Sequence, residues 1–326
     1  MKLFWKTRFG PHLTILFGGA IVVFLLFLYA EKLRLWTIES LFPNRITWEP
    51  TASSPQKNNK GRPDPYHLPK TPFRIAVAPI VSPESSLIRY HGLAVYLGSR
   101  FNRPGKIILR DNYLSINRVI QNGECDLAFI CTYAYIVGER EGYLKVLAAP
   151  VIHGAKTYRS LLIAPFGTTA KNILDFRNKT FASADPLSFS GWLYPMLVLK
   201  KAGEDPRHFF SKHIISGSHD RSVNAVADGV VDAAAVDSLI FAAMPEEIRR
   251  KVVVIDSSPP VGMPPVVVPS SLDSRTAERY RDVLTTMQRD PEGRSILASL
   301  GFDRFVPVTP ADYASVREAV RQWETH

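Results

Sequence analysis

The sequence predicts an α/β protein of two lobes carried behind an apolar N-terminal segment. Three observations lead there. From residue 72 onward, short apolar runs alternate with helical patterns, the rhythm of a mainly parallel sheet covered by helices on both faces. The rhythm breaks near 158–165, restarts near 168, and one more apolar run follows Pro264-Pro265, so the chain leaves one lobe and later returns to it. Residues 13–30 (LTILFGGAIVVFLLFLYA) carry no charge and just reach the minimum of about 17 residues that crosses a hydrocarbon core.

Taken in order, residues 1–12 contribute Lys2, Lys6 and Arg8, whereas Glu31, Lys32 and Arg34 follow the apolar run. This basic bias predicts a cytoplasmic N-terminus and an extracytoplasmic remainder. A cleaved signal peptide is the competing reading. Against it, the run exceeds the usual h-region of about 7–15 residues, and Leu28-Tyr29-Ala30 is a poor cleavage site. No cysteine lies nearby, which excludes a lipid anchor. Segment 31–47 reads as a helix that either lies on the outer interface through Trp36 or simply extends the span. Segment 48–71, rich in Pro, Ser, Asn and Lys, reads as a linker.

In the outer domain, 73–80, 106–110, 126–131 and 144–149 read as strands, with helices at 85–100, 114–121 and 133–140. A second series has strands at 180–184, 213–216, 233–236 and 252–255, with helices at 191–202 and 222–228. A strand at 266–268 and helices at 274–288, 291–300 and 310–323 complete the chain. The predicted lobes are therefore 72–163 with 265–326, and 164–264. Ligands of open α/β sheets bind beyond the carboxyl ends of the strands, and two lobes place those ends across a cleft that can close.

Composition narrows the function. The 326 residues carry a net charge of +10, which invites a nucleic-acid reading. Residues 1–71, however, hold +6 of that excess, and the remaining 255 hold only +4. The charge thus marks an anchor and linker, where basic residues set topology or meet anionic headgroups. Cys125 and Cys131 bracket a strand of about 20 Å, too far to pair, and read as free core thiols. No Walker A, GxGxxG, HExxH or zinc-ligand spacing is present, so neither metal nor cofactor is expected.

Three strand-to-helix junctions carry candidate chemistry. In Asp185-Pro186-Leu187-Ser188-Phe189-Ser190-Gly191-Trp192, two serines and a glycine offer hydroxyls and backbone N–H groups at a helix start, an arrangement suited to a tetrahedral oxyanion. Plain capping is the alternative. Ser218 and His219 follow the 213–216 strand; an imidazole there donates to an anion or merely sits in a surface loop. Asp237 follows a strand of small residues, either to accept from a protonated P–OH or to cap the next helix. From the first lobe, Thr132, Tyr133 and Tyr135 follow one strand, while Ser82 and Tyr90 follow another; each is equally read as a cap or a core aromatic.

These residues sit in longer runs: RIAVAP at 74–79, GECDLAFICTYAY at 123–135, TYRSLLI at 157–163, SADPLSFSGWLYP at 183–195, SGSHDRSVNAVADGVVDAAAVDS at 216–238 and PPVVV at 264–268. In order and spacing the chain resembles, over 73–313, the periplasmic phosphate/phosphite/phosphonate-binding components of ABC transporters. The resemblance implies a type II periplasmic binding protein fold and a monomeric ectodomain that serves an inner-membrane permease. It makes Ser188-Phe189-Ser190-Gly191 the oxyanion-binding helix start, His219 the histidine of an SH[DE] motif and Asp237 a polar site residue. Thr132 and Tyr133 become the first-lobe contact loop, and Tyr158 a hinge aromatic facing the cleft. One departure concerns the ligand. Members that bind aminoethylphosphonate place an acid near the return strand, where this chain has Gly262-Met263-Pro264-Pro265. The retained anchor is a second departure.

Two other classes compete. A hydrolase would recruit Ser188 or Ser190 with His219 and Asp237, although no GxSxG elbow is present. An anchored sensor would report occupancy to a separate histidine kinase, with only Glu324-Thr325-His326 following Trp323 in this sequence.

Overall fold

A computed structural model of the chain describes residues 71–325. Among them no helix is long and apolar enough to cross a membrane. The expected anchor at 13–30, the helix at 31–47 and the linker as far as residue 70 lie outside the described residues.

The first lobe is built from β1 (Phe73–Val77), α1 (Pro83–Arg100), β2 (Gly105–Leu109), α2 (Tyr113–Gln121), β3 (Leu127–Phe129), α3 (Thr132–Arg140) and β4 (Leu144–Val151). The chain crosses over on β5 (Thr157–Tyr158) and enters the second lobe on β6 (Ser160–Pro165). There follow β7 (Thr180–Ser183), a π-helical turn (Phe189–Leu193) running into α4 (Tyr194–Lys201), β8 (Lys212–Ile215), α5 (His219–Ala227) and β9 (Ala233–Asp237). Short helices α6 (Ser238–Ala243) and α7 (Glu246–Arg249) lead to β10 (Val252–Ser257). The return runs through β11 (Val261–Gly262), β12 (Val266–Pro269), α8 (Ser274–Thr286), α9 (Pro291–Leu300), β13 (Arg304–Pro307) and α10 (Ala314–Glu324).

The first sheet has the order β13-β4-β12-β3-β1-β2 and the second β10-β6-β9-β7-β8. β1 is parallel to β2 and β3, and β7 to β8 and β9. The exceptions to a parallel arrangement have a simple origin. A chain arriving from the other lobe comes in at the carboxyl ends of the strands and must run away from them. Accordingly β12 is antiparallel to both β3 and β4, and β6 to both β9 and β10. The central strands β3, β9 and β12 are buried throughout, which explains their unbroken apolar runs: helices cover both faces. On one side of the first sheet pack Leu93, Leu97, Tyr280 and Phe305, and on the other Tyr113, Ile120, Ile136 and Tyr313.

The expected lobe boundary moves. Ser160 to Ile163, assigned to the first lobe, pair with β9 in the second sheet. The crossover is instead the two-stranded ribbon of β5 and β11. Gly262 is required in that ribbon because a Cβ there would lie 2.8 Å from the Asp312 carbonyl oxygen. Three other differences concern short elements. β13, α6 and α7 have six residues or fewer, too few to establish a period. The helix expected from 191 begins instead as the π turn at Phe189. The last helix, α10, expected in the first lobe, touches both. Arg140 of the first lobe pairs with Glu324 at 2.6 Å, while Trp323 meets the second lobe's Trp192 edge to face at 5.0 Å and its carbonyl accepts from Lys200 Nζ at 2.6 Å.

Both cysteines are free and buried, as the strand geometry requires. Burial pushes the Cys125 thiol up to about 12 and raises that of Cys131 as well. Only the thiolate is a nucleophile, so a disulfide-exchange reagent at pH 8 should titrate neither cysteine in the folded protein and both in guanidinium. Rapid reaction of either thiol in the native state would contradict this packing.

Candidate functional site

Carboxyl ends of strands from both lobes converge on one buried cluster. After β7, Asp185 turns the chain by accepting from the Leu187 N–H at 2.8 Å. Ser188 then caps the π turn, its Oγ accepting from the Gly191 N–H at 3.0 Å. The same Oγ stands 3.3 Å from Nε2 of His219, the first residue of α5. Gly191 is the only residue type that fits, since a Cβ would stand 3.1 Å from each of His219 Cε1, Ser188 Oγ and the Ala184 nitrogen.

His219 is tied on its other side by the Asp237 N–H, which donates to Nδ1 at 3.1 Å. Nδ1 is therefore unprotonated, and a neutral ring carries its proton on Nε2, facing Ser188. Burial holds the ring neutral by lowering its pKa to about 4. Ser188 Oγ thus accepts twice, from Gly191 and from His219, which leaves its own O–H to donate elsewhere. Asp237 directs Oδ1 to the N–H groups of Leu239 (2.7 Å) and Ile240 (3.4 Å), capping α6. Burial raises its carboxyl to about 7 despite those two donors.

Hydrogen bonds join the lobes around this cluster. The His219 N–H donates to the Ile80 carbonyl at 3.0 Å, the Tyr113 N–H to Asp185 at 3.0 Å, and the Ser82 N–H to the Asp220 carboxylate at 3.1 Å. The Phe189 N–H reaches Cys131 Sγ at 3.4 Å. Two hydroxyls in this sealed region have no partner among the described residues: Ser190 Oγ and the Tyr113 hydroxyl, both on residues 0% exposed. Tyr113 lies among Ser188, Cys131, Asp185 and Asp237. A buried hydroxyl without a partner costs about 1–3 kcal/mol, so two converging at one place mark where a ligand's acceptors belong.

Most of the sequence-predicted residues meet here. Ser188, Ser190, Gly191, His219 and Asp237 form the second-lobe wall. Thr132 is buried at the start of α3, its hydroxyl 2.8 Å from that of Tyr158, and the Tyr158 ring meets Phe189 at 6.4 Å. Three predicted residues do not join. The Tyr133 ring packs in the first-lobe core toward Arg140 and Glu324, because the helix turns it away from the cleft. Ser218 directs its Oγ to Asp220 at 2.5 Å, the local bond its neighbour two residues on offers. Tyr90 packs on Phe129 at 5.0 Å and lines a neighbouring chamber. The expectation of free N–H groups along 188–191 is also corrected, since those of Phe189 and Gly191 are taken by Cys131 and Ser188. Tyr113 and Cys131 were missed as site residues. Each follows a strand at its carboxyl end, the same rule that singled out Thr132.

The hydrolase arrangement fails on the tautomer. A nucleophilic triad needs Nδ1–H donating to the carboxylate and an unprotonated Nε2 to take the serine proton. Here Nδ1 accepts from the Asp237 backbone instead.

A family model described as "ABC transporter, phosphonate, periplasmic substrate-binding protein" matches residues 75–313. The chain is 30% identical over 182 residues to the phosphate-import protein PhnD of Mycolicibacterium smegmatis, covering 52% of this chain and 57% of that protein. It is 28% identical over 175 residues to the phosphonates-binding periplasmic protein of Escherichia coli, covering 51% of each. The match thus spans little more than half the length of either relative. Among solved structures, a binding protein component of an ABC phosphonate transporter from Pseudomonas aeruginosa superposes with a TM-score of 0.71 at 22% identity, over 76% of this chain and 85% of that one. PhnD1 of Prochlorococcus marinus, in complex with methylphosphonate, gives 0.69 at 18% identity, over 78% and 98%. Both share the two-lobed fold.

The crowding around Gly191 yields a direct test. Gly191→Ala should displace the His219 ring and lower stability by roughly 1–3 kcal/mol, the usual cost of overpacking. Equal denaturant midpoints for the variant and the parent would show that the ring is not held as described.

Proposed function

The chain belongs to the periplasmic substrate-binding protein family of phosphonate ABC transporters, and on that premise we propose that it captures a small phosphorus oxyanion between its lobes for an ABC permease. Phosphate, phosphite and phosphonates are the candidates. The observation that carries this reading is the pair of buried, unpartnered hydroxyls, Ser190 Oγ and the Tyr113 hydroxyl, beside a neutral imidazole whose Nε2–H points into the same place. A tetrahedral oxyanion offers several acceptors at once and matches such a set of donors. An Asp237 carboxyl raised to about 7 adds a group able to share a proton with a monoprotonated ligand. Segment 13–30 acts in this reading as a tether that keeps the lobes on the extracytoplasmic face, beside the permease.

Calorimetric titration of the full chain with phosphate, phosphite, methylphosphonate and sulfate tests the assignment. Ser190→Ala, Tyr113→Phe and His219→Ala should each weaken binding by about 1–3 kcal/mol per lost buried hydrogen bond, a loss of roughly 5- to 150-fold. Unchanged affinity in all three would remove the cluster from the binding site.

The sign of the pH dependence follows from Asp237. Above about pH 7 its carboxyl is ionised and repels an anion, so affinity should fall as pH rises through that value. Asn caps helices as well as Asp does, so Asp237→Asn should keep the fold and lose this component. Whatever fall remains in the variant is the ligand's own titration. Superimposable pH profiles for the two proteins would exclude Asp237 from the site.

A further inference from the structure

Beside the oxyanion cluster lies a chamber of about 190 Å³ that none of the hydrogen-bonding groups above occupies. The first lobe supplies Ile80, Tyr90 and Phe129 to its wall, and the second lobe Leu239 and Ile240 from α6. Its lining is mostly apolar. The chamber is continuous with the anion cluster through two residues: Asp237 belongs to both walls, and the carbonyl of Ile80 is the acceptor for the His219 N–H. An apolar cavity of about 150 Å³ accommodates benzene, so this one admits an aryl ring or an alkyl chain of several carbons. Inorganic phosphate or methylphosphonate would leave it unfilled.

Charge on the lining separates the possible substituents. Asp237 is the single carboxylate among the described lining residues, and its Oδ1 already accepts from two backbone N–H groups. The basic groups on the lining are Arg89 and the exposed His153. An ammonium-bearing substituent would meet a cation and an apolar surface, neither of which can replace its water.

We propose that the ligand is an organophosphonate whose apolar alkyl or aryl substituent fills this interlobe chamber while its oxyanion sits among Ser188, Ser190, Tyr113 and His219. The proposal rests on the oxyanion-binding reading and specifies its substrate class. The carbon chain is the selective part of the ligand, because every competing oxyanion satisfies the polar cluster alike.

A calorimetric series on the full chain with methyl-, propyl-, butyl-, phenyl- and 2-aminoethylphosphonate tests it. Burial contributes about fourfold in affinity per methylene, so butylphosphonate should bind roughly 30- to 60-fold more tightly than methylphosphonate. Phenylphosphonate should follow the longer chains, and propylphosphonate should exceed its near-isostere 2-aminoethylphosphonate. Ala242→Phe, which adds volume on α6 at the chamber wall, should lower phenylphosphonate affinity tenfold or more and leave methylphosphonate within about twofold. Affinity that stays flat or declines from methyl to butyl, or tighter binding of the aminoethyl compound than of propylphosphonate, overturns the chamber assignment and leaves oxyanion capture standing. Failure of every anion to bind overturns both.

Discussion

The hydrogen bond from the Asp237 N–H to Nδ1 of His219 governs the chemistry of this protein. It is made at the end of β9, where burial removes competing water, and it decides which ring nitrogen carries the proton. With Nδ1 committed as an acceptor, Nε2–H must point at Ser188, and Ser188 must in turn release its own proton outward. A chain of oriented donors results, with no charge buried at neutral pH. The same bond prevents His219 from acting as a base toward serine, so one backbone contact separates a capture site from a hydrolytic one.

That bond exists only because two lobes meet there. The chain crosses between sheets twice, and each crossing delivers a strand at the carboxyl edge, so β6 and β12 run against their neighbours. This topology aligns the strand ends of both lobes on one cleft. Across it, the Ile80 carbonyl, the Asp185 carboxylate, the Asp220 carboxylate and the Cys131 sulfur satisfy N–H groups of the opposite lobe. Closure therefore satisfies the loop backbone and leaves only the hydroxyls of Ser190 and Tyr113 unmatched. α10 straps the two lobes on another side through Trp323 and Glu324, which adds a contact that need not involve ligand.

Much of this architecture was legible in the residues. Buried central strands such as β3, β9 and β12 announce themselves as apolar runs, because a strand covered on both faces has no polar side to show. Serine, glycine and histidine at strand-to-helix junctions marked the second-lobe wall, because such junctions are where backbone polarity and ligand access coincide. Elements of two to six residues were not legible. β5, β11, β13 and α6 are too short to express a period, and they exist through pairing or capping partners far away in sequence. Tyr113 was likewise hidden, since a tyrosine at a helix start is read as a core aromatic until the group facing its hydroxyl is known.

The division between the two sources of information follows from range. Local order, the two-lobe plan, the partition of positive charge toward the first 71 residues and the chemical types at the site are properties of neighbouring residues, and the sequence determines them. Which hydroxyls remain unpartnered, which nitrogen of His219 is protonated, and whether an apolar chamber adjoins the anion depend on groups as many as 72 positions or more apart, such as Tyr113 and Asp185. Burial and hydrogen bonding between such groups are set only when the sheets close on each other, so the tertiary structure alone decided them.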